Sequence, residues 1–103
     1  MNNNLLSCWN FRVKEATKIV ILPDGCQDLI LKLVNKGKPE WLVSPMFDRA
    51  ETVAIEANSV LTGYRMRPGV RIEEKALLSS LYQTKANSED ISNLLSDFTR
   101  IEC

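Results

Sequence analysis

The 103-residue sequence predicts an α+β protein, a small antiparallel β-barrel or sandwich followed by two C-terminal helices, all in a single domain over 1–103. Three observations predict it. Short segments with a period of two occupy residues 6–68, Pro, Gly and Asn punctuate them where tight turns belong, and from residue 70 the apolar spacing becomes helical. Strands that come first and helices that come last keep the two kinds of element apart, which is the α+β arrangement. At 45% apolar side chains, a chain of this size buries one modest core and has no room for a second.

The first strand is expected over 6–13, with Cys8 and Trp9 as its buried members. A β-branched run at 19–22 is cut off by Pro23-Asp24-Gly25, where Pro presets φ and Gly tolerates a positive one. Over 29–34, Leu29, Leu31 and Leu33 alternate with Ile30, Lys32 and Val34, as in a strand buried on one face and partly on the other. Asn35 to Pro39 supplies the next turn. Strands at 41–44 and 52–57 flank a loop containing Pro45, and the second sets Val53, Ile55 and Ala57 opposite Thr52, Ala54 and Glu56. Asn58-Ser59 turns the chain into 60–67, where Val60, Thr62, Tyr64 and Met66 oppose Leu61, Gly63, Arg65 and Arg67.

Pro68-Gly69 ends that strand, and a helix is expected from 70 to about 82, with Val70, Leu77, Leu78 and Leu81 near one face. Ser88 then reads as an N-cap, with Glu89 and Asp90 where negative charge favours a helix start. Ile91, Leu94, Leu95 and Phe98 follow at amphipathic spacing and mark a helix over 88–102. The expected division is therefore a β-rich barrel at 6–68 and a helical segment at 70–102.

Composition narrows function. Thirteen basic residues balance thirteen acidic ones, so the broad positive field that engages phosphates is missing, and neither a helix-turn-helix pattern nor an RNA-binding aromatic signature stands in the chain. No apolar run reaches the length of a membrane helix, and the start lacks the charged and apolar regions of a secretion signal. Leu5-Leu6-Ser7-Cys8 has the form of a lipoprotein cleavage box, but only two leucines precede the cysteine and Arg12 and Lys14 follow. It is read as chance. Cys8, Cys26 and Cys103 are odd in number and share no ligand spacing, so reduced thiols in the cytoplasm is the simpler expectation. With no histidine at all, the commonest transition-metal ligand and the usual general base near neutral pH are missing. The expectation is a non-enzymatic protein with no catalytic residues, no metal and no cofactor.

Two landmarks, Leu22-Pro23-Asp24-Gly25-Cys26-Gln27-Asp28-Leu29-Ile30 and Gly63-Tyr64-Arg65-Met66-Arg67-Pro68-Gly69, stand in order along the chain. Together with the upstream Trp9 they resemble the Pro-Asp-Gly-Cys-x-Asp-Leu and Gly-x-Arg-Phe-x-Pro-Gly segments of the N-terminal domain in one branch of AraC-type transcription regulators. Met66 stands where that family usually carries an aromatic, and the family's C-terminal pair of helix-turn-helix units has no counterpart in these residues. The resemblance implies a cupin-like small barrel that senses a small-molecule effector, helices that mediate homodimerisation, and DNA contact only through a C-terminal domain absent from this chain. An interaction module whose barrel is filled by its own side chains is the alternative. A third reading, an enzyme using Asp24, Asp28 or Glu56 as acid and base, lacks supporting spacing.

The candidate residues admit two readings each. Arg65 and Arg67 fall on one predicted strand face, so their forks either converge on an anionic ligand, Asp28 or Glu56, or make a solvated, salt-bridged face. Trp9, Trp41, Tyr64 and Phe47 either line a ligand cavity or fill the core. Pro23, Asp24, Gly25, Asp28, Pro68 and Gly69 are assigned to turn structure, and Cys26 is read as an inert thiol. The stripe Ile91, Leu94, Leu95 and Phe98 is the expected dimer seam, with folding back onto the chain's own barrel as its alternative.

Overall fold

A computed structural model describes residues 4–22, 25–35, 37–44, 49–83 and 88–101. Among these, strand β1 (Leu5–Val13) is followed by β2 (Thr17–Ile21), β3 (Asp28–Val34), β4 (Glu40–Val43), β5 (Glu51–Ile55), β6 (Ser59–Met66) and β7 (Val70–Ile72), then helices α1 (Glu74–Gln83) and α2 (Ser88–Asp97) and a last strand β8 (Thr99–Ile101). The first six strands stand within about two residues of where periodicity places them. The expected mixture of antiparallel strands and two helices is therefore present. A closed barrel is not: β1, β6, β3 and β4 form one four-stranded sheet in that order, while β2 with β5 and β7 with β8 make two separate pairs.

Alternation along the strands divides the interior in two. Leu29 of β3, Met66 of β6 and the half-buried Tyr64, Trp41 and Val43 turn to one face of the four-stranded sheet. Against them pack Val70 and Ile72, Leu77 and Leu81 of α1, and Ile91 and Leu95 of α2. Removing a leucine-sized side chain from water contributes about 1.5–3 kcal/mol, so this layer is the principal source of stability. The other sheet face carries Leu61, Ile30 and Trp9, which meet Ile19 of β2 and Val53 and Ile55 of β5 in a second, smaller cluster with Val13.

A bulge lets β1 serve both clusters. Leu5 pairs with Met66 and Ser7 with Arg65, so Leu6 is an extra residue between successive partners. The insertion exchanges the two faces at that point. Leu5 consequently joins the helix-side cluster, while Trp9 and Val13 face the other way.

Tight turns follow the expected chemistry. Asn35 and Asn58 adopt positive φ, 51° and 60°, and the Asn35 N–H donates to the Asn58 carbonyl at 2.8 Å, joining the two turns at one end of the sheet. Gly25 and Gly69 also take positive φ, 76° and 85°, and the Val70 N–H closes the turn around Pro68-Gly69 on the Arg67 carbonyl at 3.1 Å. Pro23, Asp24, Pro45 and Phe47 lie outside the described residues, as does the side chain of Ser88 with its expected cap.

The helical segment expected over 70–102 requires correction at both ends. Val70-Arg71-Ile72 is strand β7, and the first helix begins only at Glu74. Val70 and Ile72 are both buried, which a strand of alternating residues achieves and a helix at that spacing does not. The second helix stops at Asp97, and Thr99–Ile101 returns antiparallel along β7 with Ile72 opposite Thr99. One backbone and one side-chain contact hold the chain beyond the stop: Glu73 N–H donates to the Phe98 carbonyl at 2.8 Å, and Asn4 Nδ2 donates to Thr99 Oγ1 at 2.9 Å.

The expected dimer seam is also corrected. Ile91 and Leu95 are 4% and 0% exposed within the single chain, and Leu94 and Phe98 pack half-buried against the same cluster. The stripe folds back on its own sheet, the alternative weighed for it, because that sheet face would otherwise present Leu29 and Met66 to water.

Candidate functional site

Antiparallel register places residues distant in sequence on common rungs. One rung crosses all four strands: Ser7 pairs with Arg65, Arg65 with Asp28, and Asp28 lies beside Ser44 at the end of β4. The Asp28 N–H donates to Ser44 Oγ at 2.8 Å and the Ser44 N–H to the Asp28 carbonyl at 2.9 Å. The next rung on the same face is Trp9, Gly63, Ile30 and Leu42. A polar band is followed by an apolar one.

These bands floor a cleft of about 690 Å³ whose roof is the β2–β5 pair. Branched aliphatic side chains make most of its wall, including Ile19, Ile21, Val53 and Ile55 from the roof and Ile30 and Leu61 from the floor. Its size falls within the range of small-molecule sites, about 300–1,000 Å³. Leu42 and Leu22, which also line it, are 37% and 67% exposed, so the cleft is open to solvent on an apolar side.

At the polar end stands Asp28, whose side chain is 8% exposed. Trp9 Nε1 donates to its Oδ2 at 2.8 Å, and Arg65 Nε donates to its Oδ1 at 3.2 Å. Both oxygens are thus engaged, which offsets the cost of removing a carboxylate from water. Arg65, 36% exposed, and Asp28 both line the cleft, the carboxylate being the more buried of the two. Beyond this pair, Lys32 closes the floor and is bound outward to Glu56 at 2.8 Å.

Gly63 makes the Trp9 position possible. A Cβ there would stand 1.9 Å from Trp9 Cε2 and 2.3 Å from Nε1, so the indole lies flat on bare backbone. The first residue of the second landmark is therefore matched to the upstream tryptophan, and Arg65, two residues on, reaches the same carboxylate.

The candidate residues separate accordingly. Trp9 and Arg65 meet in the cleft, and Asp28, assigned to turn structure, is instead the first residue of β3 and the acceptor that unites them. Trp41 and Tyr64 point to the helix side, away from the cleft, because they occupy the opposite parity of β4 and β6. Burial first, and then the neighbouring Cys8, hold the Tyr64 phenol above its ordinary value. Arg67 lies past the end of β6, exposed, and is not among the residues that line the cleft with Arg65.

Sequence reasoning missed Ser7, Ser44 and the roof residues, and it missed Gln27. The Gln27 side chain accepts the Ile72 N–H at 2.9 Å and donates to the Ser44 carbonyl at 3.3 Å, while its own carbonyl accepts the Met66 N–H at 2.9 Å. One glutamine thereby joins the cleft wall to β7 and the helical layer. Its place inside the first landmark was the available signal. Cys26 lines the cleft, half-buried.

Among the described residues no three His, Cys, Asp or Glu side chains come together as a metal-binding group, and no helix is long and apolar enough to cross a membrane. Compared with protein-family models, curated proteins and solved structures, the chain shows no match.

Proposed function

We propose that this chain is the effector-sensing domain of a cytoplasmic, non-enzymatic AraC-type transcription regulator, with its two facing sheets an opened form of the cupin-like barrel. One observation carries the reading: Trp9, Asp28 and Arg65, drawn from the segments that resemble that family, meet at the polar end of an open apolar cleft. Carboxylate, indole and guanidinium hold one another, which suits a preformed binding wall better than a group poised for proton transfer.

Sensing requires that an occupied cleft favour one arrangement of the helical layer over another. Gln27 supplies a physical route, since it bonds Ser44 at the cleft and Ile72 beside α1. Homodimerisation belongs to the same reading through a surface other than the α2 stripe, and DNA contact through a further domain. The test is a thermal-shift screen of small molecules on the chain and on a Leu42→Trp variant that fills the mouth of the cleft. A compound at a hundred times its Kd should add about 2.7 kcal/mol to the chain. The same compound should leave the filled variant unmoved. Stabilisation that survives the filling would place binding elsewhere, and an interaction module without a ligand would then be the better reading.

A further inference from the structure

We infer that the cleft selects a neutral aliphatic molecule with a single hydroxyl or carbonyl head, and discriminates against the carboxylate of the same chain length. The inference rests on the reading of the cleft as a ligand site and adds to it the chemical class.

The two rungs set the polarity of the occupant. Ser7, Arg65, Asp28 and Ser44 form the polar row, and Trp9, Gly63, Ile30 and Leu42 the apolar row beside it. A molecule lying across both must be polar at one end only. Its body meets branched aliphatic side chains above and below, with Trp9 the one aromatic among the described lining residues.

Charge decides the head. Arg65 is the cation at the polar end, and it already faces Asp28 at 3.2 Å. An arriving carboxylate would share that guanidinium with a carboxylate that is 8% exposed and has little water to screen it, and two like charges on one cation disfavour each other. An ammonium head would enter beside Arg65, a like charge on the same polar row, and that repulsion disfavours it. A hydroxyl or carbonyl introduces no charge, accepts from the donors of that row, and leaves the Asp28–Arg65 pair intact. Ser44 Oγ accepts the Asp28 N–H and keeps its own hydroxyl proton to donate.

The test uses four probes of one chain length, decanol, decanamide, decanoate and decylamine, in a Trp41→Phe chain whose remaining tryptophan, Trp9, reports from the cleft wall. Decanol and decanamide should shift Trp9 emission with saturable binding, and decanoate and decylamine should bind about tenfold more weakly or worse. Asp28→Asn should tighten decanoate relative to decanol, because the like charge beside Arg65 is removed. Should that variant fail to fold, the ranking on the parent chain decides alone. Decanoate binding as tightly as decanol, and lost on Leu42→Phe, would overturn the neutral-head assignment while leaving the cleft as the site. Binding of no probe, or binding indifferent to Leu42→Phe, would overturn the cleft reading and this inference with it.

Discussion

Replacing Gly63 with Ala tests the geometry on which the site depends. A methyl group there would stand 1.9 Å from Trp9 Cε2 and 2.1 Å from Cζ2, and the obstacle is a rigid ring. Trp9 pairs directly opposite Gly63, so the indole can yield only by lifting off the sheet and leaving Asp28. Losing a hydrogen bond to a charged acceptor costs about 1.5–3 kcal/mol, and overpacking adds about 1–3 kcal/mol. The sum, roughly 2.5–6 kcal/mol, is a large share of the ~5–15 kcal/mol that holds a domain folded. Urea unfolding followed by circular dichroism measures it, with tryptophan emission reporting the displaced ring. In a Trp9→Val background the same substitution should cost less than about 1 kcal/mol, since alanine is otherwise no worse than glycine in a strand. A cost under about 0.5 kcal/mol in the parent chain, or an equal cost in both backgrounds, would refute the stacking of Trp9 on Gly63.

Leu95→Asp places a charge at a fully buried position, so the melting temperature should collapse with no preceding change in association by light scattering; a folded variant that merely lost self-association would restore the dimer seam. Gln27→Ala leaves the Ile72 N–H without its acceptor and should cost about 1–3 kcal/mol, with faster hydrogen exchange at Ile72 as its local signature. Arg65→Ala should destabilise the chain more than Arg67→Ala, because only the former strips a counter-charge from nearly buried Asp28; equal effects in denaturant melts would count against the pair. Tyr64 favours its neutral form in the folded chain, so its contribution is full below the ordinary value of 10.0 and is lost as pH rises through the raised one. Alkaline unfolding should therefore be shallower in Tyr64→Phe, and an unchanged profile would assign the pH dependence to another group.

Much of the fold was legible because local patterns answer to local physics. Alternation from β1 to β6 and the turns at Asn35, Asn58 and Gly69 needed only the period of a strand and the conformational freedom of Asn and Gly. The α2 stripe was legible as well, since Ile91, Leu94, Leu95 and Phe98 declare a helix face whatever covers it. What covers it was not, because an apolar stripe is equally satisfied by a second chain or by its own sheet. Residues 70–72 and 99–101 were misread as helix because three-residue strands carry too little period to compete with a helical stripe beside them. Their pairing with each other is what makes them strands.

Trp9, Asp28 and Arg65 were each visible as unusual residues, but their meeting was not. It depends on a register that sets Trp9 opposite Gly63 and lays three strands side by side across 37 positions of chain between Asp28 and Arg65. Parity separates them from Tyr64 and Trp41, which are as aromatic and as near in sequence yet stand on the other face. Residue type and spacing determined which side chains the protein possesses for a site, and which segments become strands. Only the packing of one sheet against another decided which of those side chains share a cavity, since a pleated strand sends neighbours to opposite faces and a single inserted residue exchanges them.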